Sequence, residues 1–414
     1  MRKHTKTMVP LMAAGLGGLT LLAILGYPGI REAFSAPATP IPELPTNDAN
    51  QVNLPDTRQH PVIEAVFVLD TTGSMGGLIQ AAKDKIWSIA STMAAAEPAP
   101  EIRIGLVTYR DRGDDYVTRV TNLSPDLDAI HAELMQFQAN GGGDGPESVN
   151  QALHDALHRI QWSQDGSAYQ VIFLVGDAPA HMDYANDTPY PQTLALAKKG
   201  GIHVNAIQCG SHADTAGQWQ QIAQLGGGGY FQVEQNGSAV AVATPYDGEL
   251  AELSAKLDDT RLYYGKTEER AARSDKLAVE KAAKAAASPA AMARRADFVT
   301  SKSGKASLIG EHELVDEVTS GRLELDALPA EELPAPLVSL SKTEQRALIE
   351  QKAREREELS AQIQALSDQR AEYLKSKVAE SGDAEDSLDH KIFSAVREQA
   401  AEKGLKYDAS APAY

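Results

Sequence analysis

The stretch Val62-Ile63-Glu64-Ala65-Val66-Phe67-Val68-Leu69 is almost unbroken apolar sequence and stops on Asp70. A strand that is hydrophobic at both odd and even positions must be covered on both faces of its sheet, which is the condition of an interior strand in a parallel sheet. The residues up to about 235 agree with that reading. Residues 102–109 form a second such run, 116–123 alternate like a short edge strand, and 169–175, 202–209 and 230–233 read as further strands. Helical periodicity occupies 75–96, 147–161, 192–199 and 218–225, and Ser124-Pro125-Asp126 opens another helix. Strands alternating with helices predict an α/β fold: a doubly wound, mostly parallel sheet with helices on both faces, followed by a mainly helical C-terminal region. Folds of this kind bind ligands outside the carboxyl ends of their central strands.

The chain has 414 residues, room for more than one such unit. Arg2, Lys3 and Lys6 precede an uncharged stretch over 9–27, the layout of an export signal, with small residues that suit cleavage after Ser35. The same stretch is long enough for a retained membrane anchor. Either form puts the remainder outside the cytoplasm, in the periplasm or secreted, with a tether to the cytoplasmic membrane through 9–27 as the anchored variant. The expected division is a signal or anchor at 1–35, a Pro- and Asn-rich linker at 36–60 and the α/β domain at 61–240. A helical and irregular region at 241–340, a long charged helix at 341–380 and a terminal helix with tail at 381–414 follow. Ser341-Lys342-Thr343-Glu344 is a capping box at the start of the charged helix. Leu359, Ile363, Leu366 and Tyr373 keep heptad-like spacing there, but Lys352, Arg356 and Arg370 interrupt the seam. Packing on its own chain is therefore favoured over a long coiled coil.

A formal charge of -18 excludes generic nucleic-acid binding, since nothing offsets phosphate repulsion. Cys209 is the sole cysteine, so no internal disulfide can form, and its apolar strand predicts an inert, buried thiol.

The segment that carries chemistry is Asp70-Thr71-Thr72-Gly73-Ser74-Met75, where the first strand gives way to a helix. Asp70, Thr72 and Ser74 alternate, which points three hard oxygen ligands the same way, and hard oxygens suit Mg²⁺, Ca²⁺ or Mn²⁺. The segment resembles the Asp-x-Ser-x-Ser signature of von Willebrand factor type A domains, with Thr72 in place of the first serine. Val175-Gly176-Asp177 ends an inner strand on an aspartate, as that family does for its last ligand. Gly141-Gly142-Gly143-Asp144-Gly145-Pro146-Glu147-Ser148 lies where the family carries a ligand threonine, and here none is present. Asp144 is the candidate for that position and Glu147 the second.

The resemblance implies one divalent cation, Mg²⁺ first with Ca²⁺ or Mn²⁺ as alternatives, held by Asp70, Thr72, Ser74, Asp144 and Asp177. It also implies an open coordination position for a carboxylate presented by a partner protein. Residues 175–184 and 200–210 resemble one branch of the superfamily, which includes bacterial exported proteins and the adhesion domain of some alpha-type kinases. No kinase domain follows residue 235.

Other features are weaker. His181 and Asp183 beside the proposed site could form a hydrolytic dyad or a second metal site, although no nucleophile or oxyanion arrangement accompanies them. His181 therefore reads first as a rim residue, and Asp111, with Asp114 and Asp115, as a rim or accessory Ca²⁺ position. Arg112-Gly113-Asp114 is read as a chance tripeptide in an acidic loop. Gly226 to Gly229 reads as a turn entering the last strand. The function expected is a non-enzymatic, metal-dependent adhesion or scaffold module. The rivals are a cell-envelope assembly factor whose metal only stabilises the fold, and a metal-dependent hydrolase.

Overall fold

The computed structural model describes residues 61–236, 242–381 and 388–407, so the expected signal or anchor and the linker after it lie outside the described residues. Among the described residues no helix is long and apolar enough to cross a membrane.

The apolar runs become strands β1 (Val62–Asp70), β2 (Glu101–Tyr109), β3 (Thr118–Ser124), β4 (Tyr169–Gly176), β5 (Ile202–Cys209) and β6 (Gly227–Val233). They form one sheet in the order β3-β2-β1-β4-β5-β6. Every pairing is parallel except that of β2 with the edge strand β3. β1 lies between β2 and β4, so the chain reverses its direction of winding there. The carboxyl ends of β1 and β4 flank the crevice that results.

Helices α1 (Gly76–Ala94), α2 (Leu127–Gln136), α3 (Val149–His158), α4 (Tyr190–Gly200) and α5 (Ala213–Leu225) connect the strands. Alternate strand residues supply the two cores. Val66, Val68, Ile172, Leu174 and Val204 pack with α3, α4 and α5. Ala65, Phe67, Leu69, Phe173 and Val175 face α1 and α2, and Phe67 stacks on Phe173 with ring centroids 5.3 Å apart. Cys209 is buried in the latter core, and burial pushes its thiol well above the ordinary range.

Two local details differ from the sequence reading. The helix opened by Ser124-Pro125-Asp126 is expected to hold the proline in its first turn, whereas Pro125 precedes α2, whose cap is Asp126, with a side chain that accepts from Ala129 N at 3.1 Å. The glycines at 227–229 are part of β6 and no mere turn. β6 crosses β5 so closely that a Cβ on Gly228 would sit 2.2 Å from Val204 O, and only glycine fits that approach.

The remaining helices are α6 (Asp247–Asp258), α7 (Thr267–Ala286), α8 (Pro289–Thr300), α9 (Lys305–Ile309), α10 (Leu314–Thr319), α11 (Ala335–Val338), α12 (Lys342–Ser381) and α13 (Leu388–Ala400). Several of them build a further layer over α1 and α2 and extend the same core. Leu253, Leu257, Ala296, Phe298, Ile363, Ile392 and Val396 join it, and Trp87 of α1 lies 5.9 Å from Phe298.

α12 packs on its own chain. The basic residues that break its heptad seam turn to carboxylates of this chain, Arg356 to Glu313 at 3.0 Å and Arg370 to Asp247 at 2.6 Å. α13 is tied to α1 by a buried Lys85–Asp389 ion pair of 2.9 Å. Near its end Gln399 accepts from the Tyr169 hydroxyl at 2.8 Å and exchanges hydrogen bonds with the amide of Asn205.

Candidate metal centre

Asp70 is the last residue of β1 and is wholly buried. The chain turns there through a short 3-10 segment, Gly73–Met75, into α1. The turn is set by Asp70 itself, whose Oδ1 accepts from Thr72 N at 2.8 Å and from Thr72 Oγ1 at 2.6 Å. Its other oxygen, Oδ2, is buried and has no partner. Beside it, at the end of β4, Gly176 leaves the necessary room. A Cβ there would lie 2.5 Å from the Tyr109 hydroxyl and 3.0 Å from Asp70 Cβ.

The next residue, Asp177, has one buried oxygen without a partner, Oδ1. The other accepts from Gln235 Nε2 at 2.7 Å, and Thr215 Oγ1 donates to the Asp177 carbonyl at 2.9 Å. Gln235 Nε2 also lies 3.4 Å from the carbonyl of Ser74, so one amide links the turns after β1 and β4.

The loop at 141–148 closes the third side. Gly73 N donates to Gly141 O and Asn140 N to Thr71 O, which fastens this loop to the turn after β1. Gly141 and Gly142 adopt φ of 80° and 83°, left-handed backbone that suits glycine. Gly142 N is held by Asp114 Oδ2 at 3.1 Å, and Arg112 forms an ion pair with Asp187, so both charges of the Arg-Gly-Asp tripeptide are engaged within the chain.

Glu147 is buried, with Oε2 unpartnered. Its Oε1 and Thr72 Cβ lie 3.5 Å and 3.4 Å from one point, the place a Cβ on Gly142 would take. Glu147 and Thr72 therefore border the same glycine, and the Asp70 carboxylate is near enough to act on Glu147. Asp144, on the same loop, has a side chain that is 60% exposed, and its Oδ1 is 3.5 Å from His181 Nε2. Asp111 also borders His181, at 3.5 Å, and is held by Ser148 and Tyr184.

Thr72, Ser74, Asp144, Glu147 and Asp177 line one open cavity of about 530 Å³ together with His212 and Asp214, while Asp70, hydrogen-bonded to Thr72, is buried. So many carboxylates in one place act on one another. Burial, reinforced by Asp177, pushes Asp70 up to about 7. Burial, reinforced by Asp70, Asp111, Asp114 and Asp177, pushes Glu147 up to about 9.

Asp70, Glu147 and Asp177, each with a buried, partnerless oxygen, and the hydroxyls of Thr72 and Ser74 offer hard oxygens alone. That set fits a hard divalent cation. Gln235, His212 and Asp214 carry no spacing signal in the sequence, and only the folded loops bring them here.

Residues 64–235 match the model of the von Willebrand factor A domain. This part of the chain is a von Willebrand factor A domain. The chain is similar to von Willebrand factor A domain-containing protein 7 of Mus musculus, 38% identical over 97 residues, which cover 23% of this chain and 10% of that protein. It is similar also to alpha-protein kinase vwkA of Dictyostelium discoideum, 24% identical over 139 residues, covering 33% of this chain and 21% of the kinase. Among solved structures, the SpRpn10 VWA domain aligns with a TM-score of 0.34 and 16% identity, over 42% of this chain and 89% of that one. This chain thus spans a tenth to about a fifth of the length of these curated relatives. The helices that follow residue 242 lie beyond the matched segment but share its core.

Proposed function

We propose that the chain is a cation-dependent protein-binding module that acts outside the cytoplasm. Asp70, Thr72, Ser74 and Asp177, with a carboxylate from the 141–148 loop, hold one divalent cation, Mg²⁺ ahead of Ca²⁺ or Mn²⁺. Glu147 is the better loop ligand, because it is buried and feels the Asp70 charge, whereas Asp144 is exposed and lies beside His181. The observation that carries the reading is the set of buried oxygens Asp70 Oδ2, Asp177 Oδ1 and Glu147 Oε2, none with a hydrogen-bond partner. Leaving ionised oxygens buried and bare costs several kcal/mol each, on the order of what a bound cation offsets.

When bound, the cation supplies an electrophilic position at the cavity mouth, where a carboxylate of a partner protein can complete its coordination. The protein residues fix the floor and keep the loops together. Three carboxylate ligands neutralise much of the ion's charge, which predicts tight cation uptake and a modest pull on the partner.

Calorimetry on the whole chain with Mg²⁺, Ca²⁺ and Mn²⁺ tests the first half, and no uptake of any of them ends the proposal. Capture of partners from an envelope extract, with and without chelator, tests the second. Asp70→Ala should stay folded and lose the captured protein. If chelation melts the chain while Asp70→Ala keeps its partner, an envelope assembly factor stabilised by metal replaces this reading.

A further inference from the structure

We propose a second cation site beside the first, formed by His181 Nε2, Asp111 Oδ2 and Asp144 Oδ1, which takes a borderline transition ion such as Zn²⁺. The three atoms lie within 4.8 Å of one another, and Nε2 is 3.5 Å from each of the two oxygens. A tetrahedral Zn²⁺ with bonds of about 2.0–2.2 Å separates its ligand atoms by roughly 3.3–3.6 Å, so the imidazole already stands at coordination distance from both carboxylates.

The orientation of the ring is the independent observation. Nδ1 is paired with Asp183 Oδ1 at 2.8 Å, and a proton on Nδ1 leaves the lone pair on Nε2. Nε2 is buried and has no hydrogen-bond partner, in a residue only 6% exposed. A carboxylate behind a histidine, with the far nitrogen bare and facing two further carboxylates, is how proteins orient a histidine toward a metal.

The other ligands are prepared to different degrees. Asp111 is fixed at both oxygens, by Ser148 Oγ at 2.9 Å and the Tyr184 hydroxyl at 2.7 Å, and the Tyr184 ring stacks on the imidazole at 4.1 Å. Asp144 is exposed and leaves the solvent side open for water or a fourth ligand. One nitrogen among the donors separates this site from its neighbour: it favours Zn²⁺ or Co²⁺ over Mg²⁺ and Ca²⁺, which prefer oxygens alone.

The test is a Co²⁺ titration of the whole, metal-stripped chain kept in excess Mg²⁺, followed by calorimetry and visible absorption, with Zn²⁺ as competitor. One Co²⁺ per chain should bind, develop the absorption bands of a nitrogen-containing site of low coordination number, and be displaced by Zn²⁺. His181→Gln should abolish those bands, and Asp183→Asn should weaken binding by about 10- to 100-fold. Asp144→Asn, at an exposed position, should weaken binding without disturbing the fold, which circular dichroism checks. The proposal is overturned if the wild-type chain takes up no Co²⁺ in the presence of Mg²⁺, or if uptake and bands are unchanged in folded His181→Gln and Asp144→Asn. Mg²⁺ uptake measured on the same sample reports the first site, so its absence would remove that site and leave this one standing.

Discussion

Asp128 on α2 and Arg295 on α8 form an ion pair with both side chains buried, 167 residues apart in the chain. Arg295 also donates to Asp258 at 2.8 Å and to Ser254 at 2.7 Å on α6, while Lys284 of α7 reaches both aspartates. The cluster ties the A domain to the helices that follow it. Arg295→Ala would leave two buried carboxylates with reduced compensation, and the expected loss is about 3–5 kcal/mol in urea unfolding. Arg295 and Lys284 hold Asp128 well below the usual carboxylate range. The stability it contributes is therefore present above about pH 4 and is lost as the pH falls below that value.

The helical cover is part of the core. A chain ended at residue 240 would uncover the side of α1 that faces α8 and α13, including Trp87 beside Phe298, and leave Lys85 without Asp389. The expected outcome is a fragment that binds a hydrophobic dye and elutes as aggregate in size exclusion, where the full chain does neither. A monomeric, dye-silent fragment would show that the A domain folds independently.

Cation uptake should depend on pH in a defined direction. Without the ion, burial raises Asp70 from 3.8 to about 7 and Glu147 from 4.5 to about 9. Folded pKa values above the unfolded ones mean that these groups favour folding fully at low pH, and that the contribution is lost as pH rises toward 7 and then 9. A bound cation needs both groups ionised, so its uptake must expel protons. Mg²⁺ affinity should rise between about pH 5.5 and about pH 8, and calorimetry in buffers of different ionisation enthalpy should show proton release.

Asp70→Asn separates the cost of this site from its use. Without divalent ions near pH 8 the variant should unfold at a higher temperature than the wild type, because a buried charge has been removed from a crowd of carboxylates. With Mg²⁺ in excess the order should reverse, since only the wild type gains stability from the ion. Thermal melts in chelator and in Mg²⁺ decide it.

Gly176→Ala adds one methyl group where the Tyr109 hydroxyl and Asp70 leave no space. A loss of about 1–3 kcal/mol is expected from overpacking. The displaced Asp70 should also weaken Mg²⁺ binding by tenfold or more, read by calorimetry.

The sheet could be read from the sequence because burial on both faces leaves runs such as Val66 to Leu69 with no polar position, and because Asp70 and Asp177 stand directly after such runs. The helical cover was harder. α8 buries Arg294 and Arg295, and α12 buries Arg370, so charged residues occupy positions where periodicity looks for apolar ones. The carboxylate partners of Arg295 and Arg370 lie far away in sequence, which no local pattern records. The same holds in the loops. Asp144 and Glu147 are three residues apart and chemically alike, yet one is exposed beside His181 and the other buried beside Thr72. The backbone pairing of Glu147 with Pro179 and His181 decides between them, and that pairing exists only after folding.

The tryptophans fall at useful places. Trp219 donates from its indole to the carbonyl of Ala178, the residue after Asp177, while Trp87 lies against Phe298 in the helical cover. With three tryptophans in the chain, variants that retain one at a time would carry a single optical reporter in a chosen layer. Light emitted from position 219 would follow the cation loop and light from position 87 the attachment of the cover. The two events could then be timed separately in one unlabelled protein.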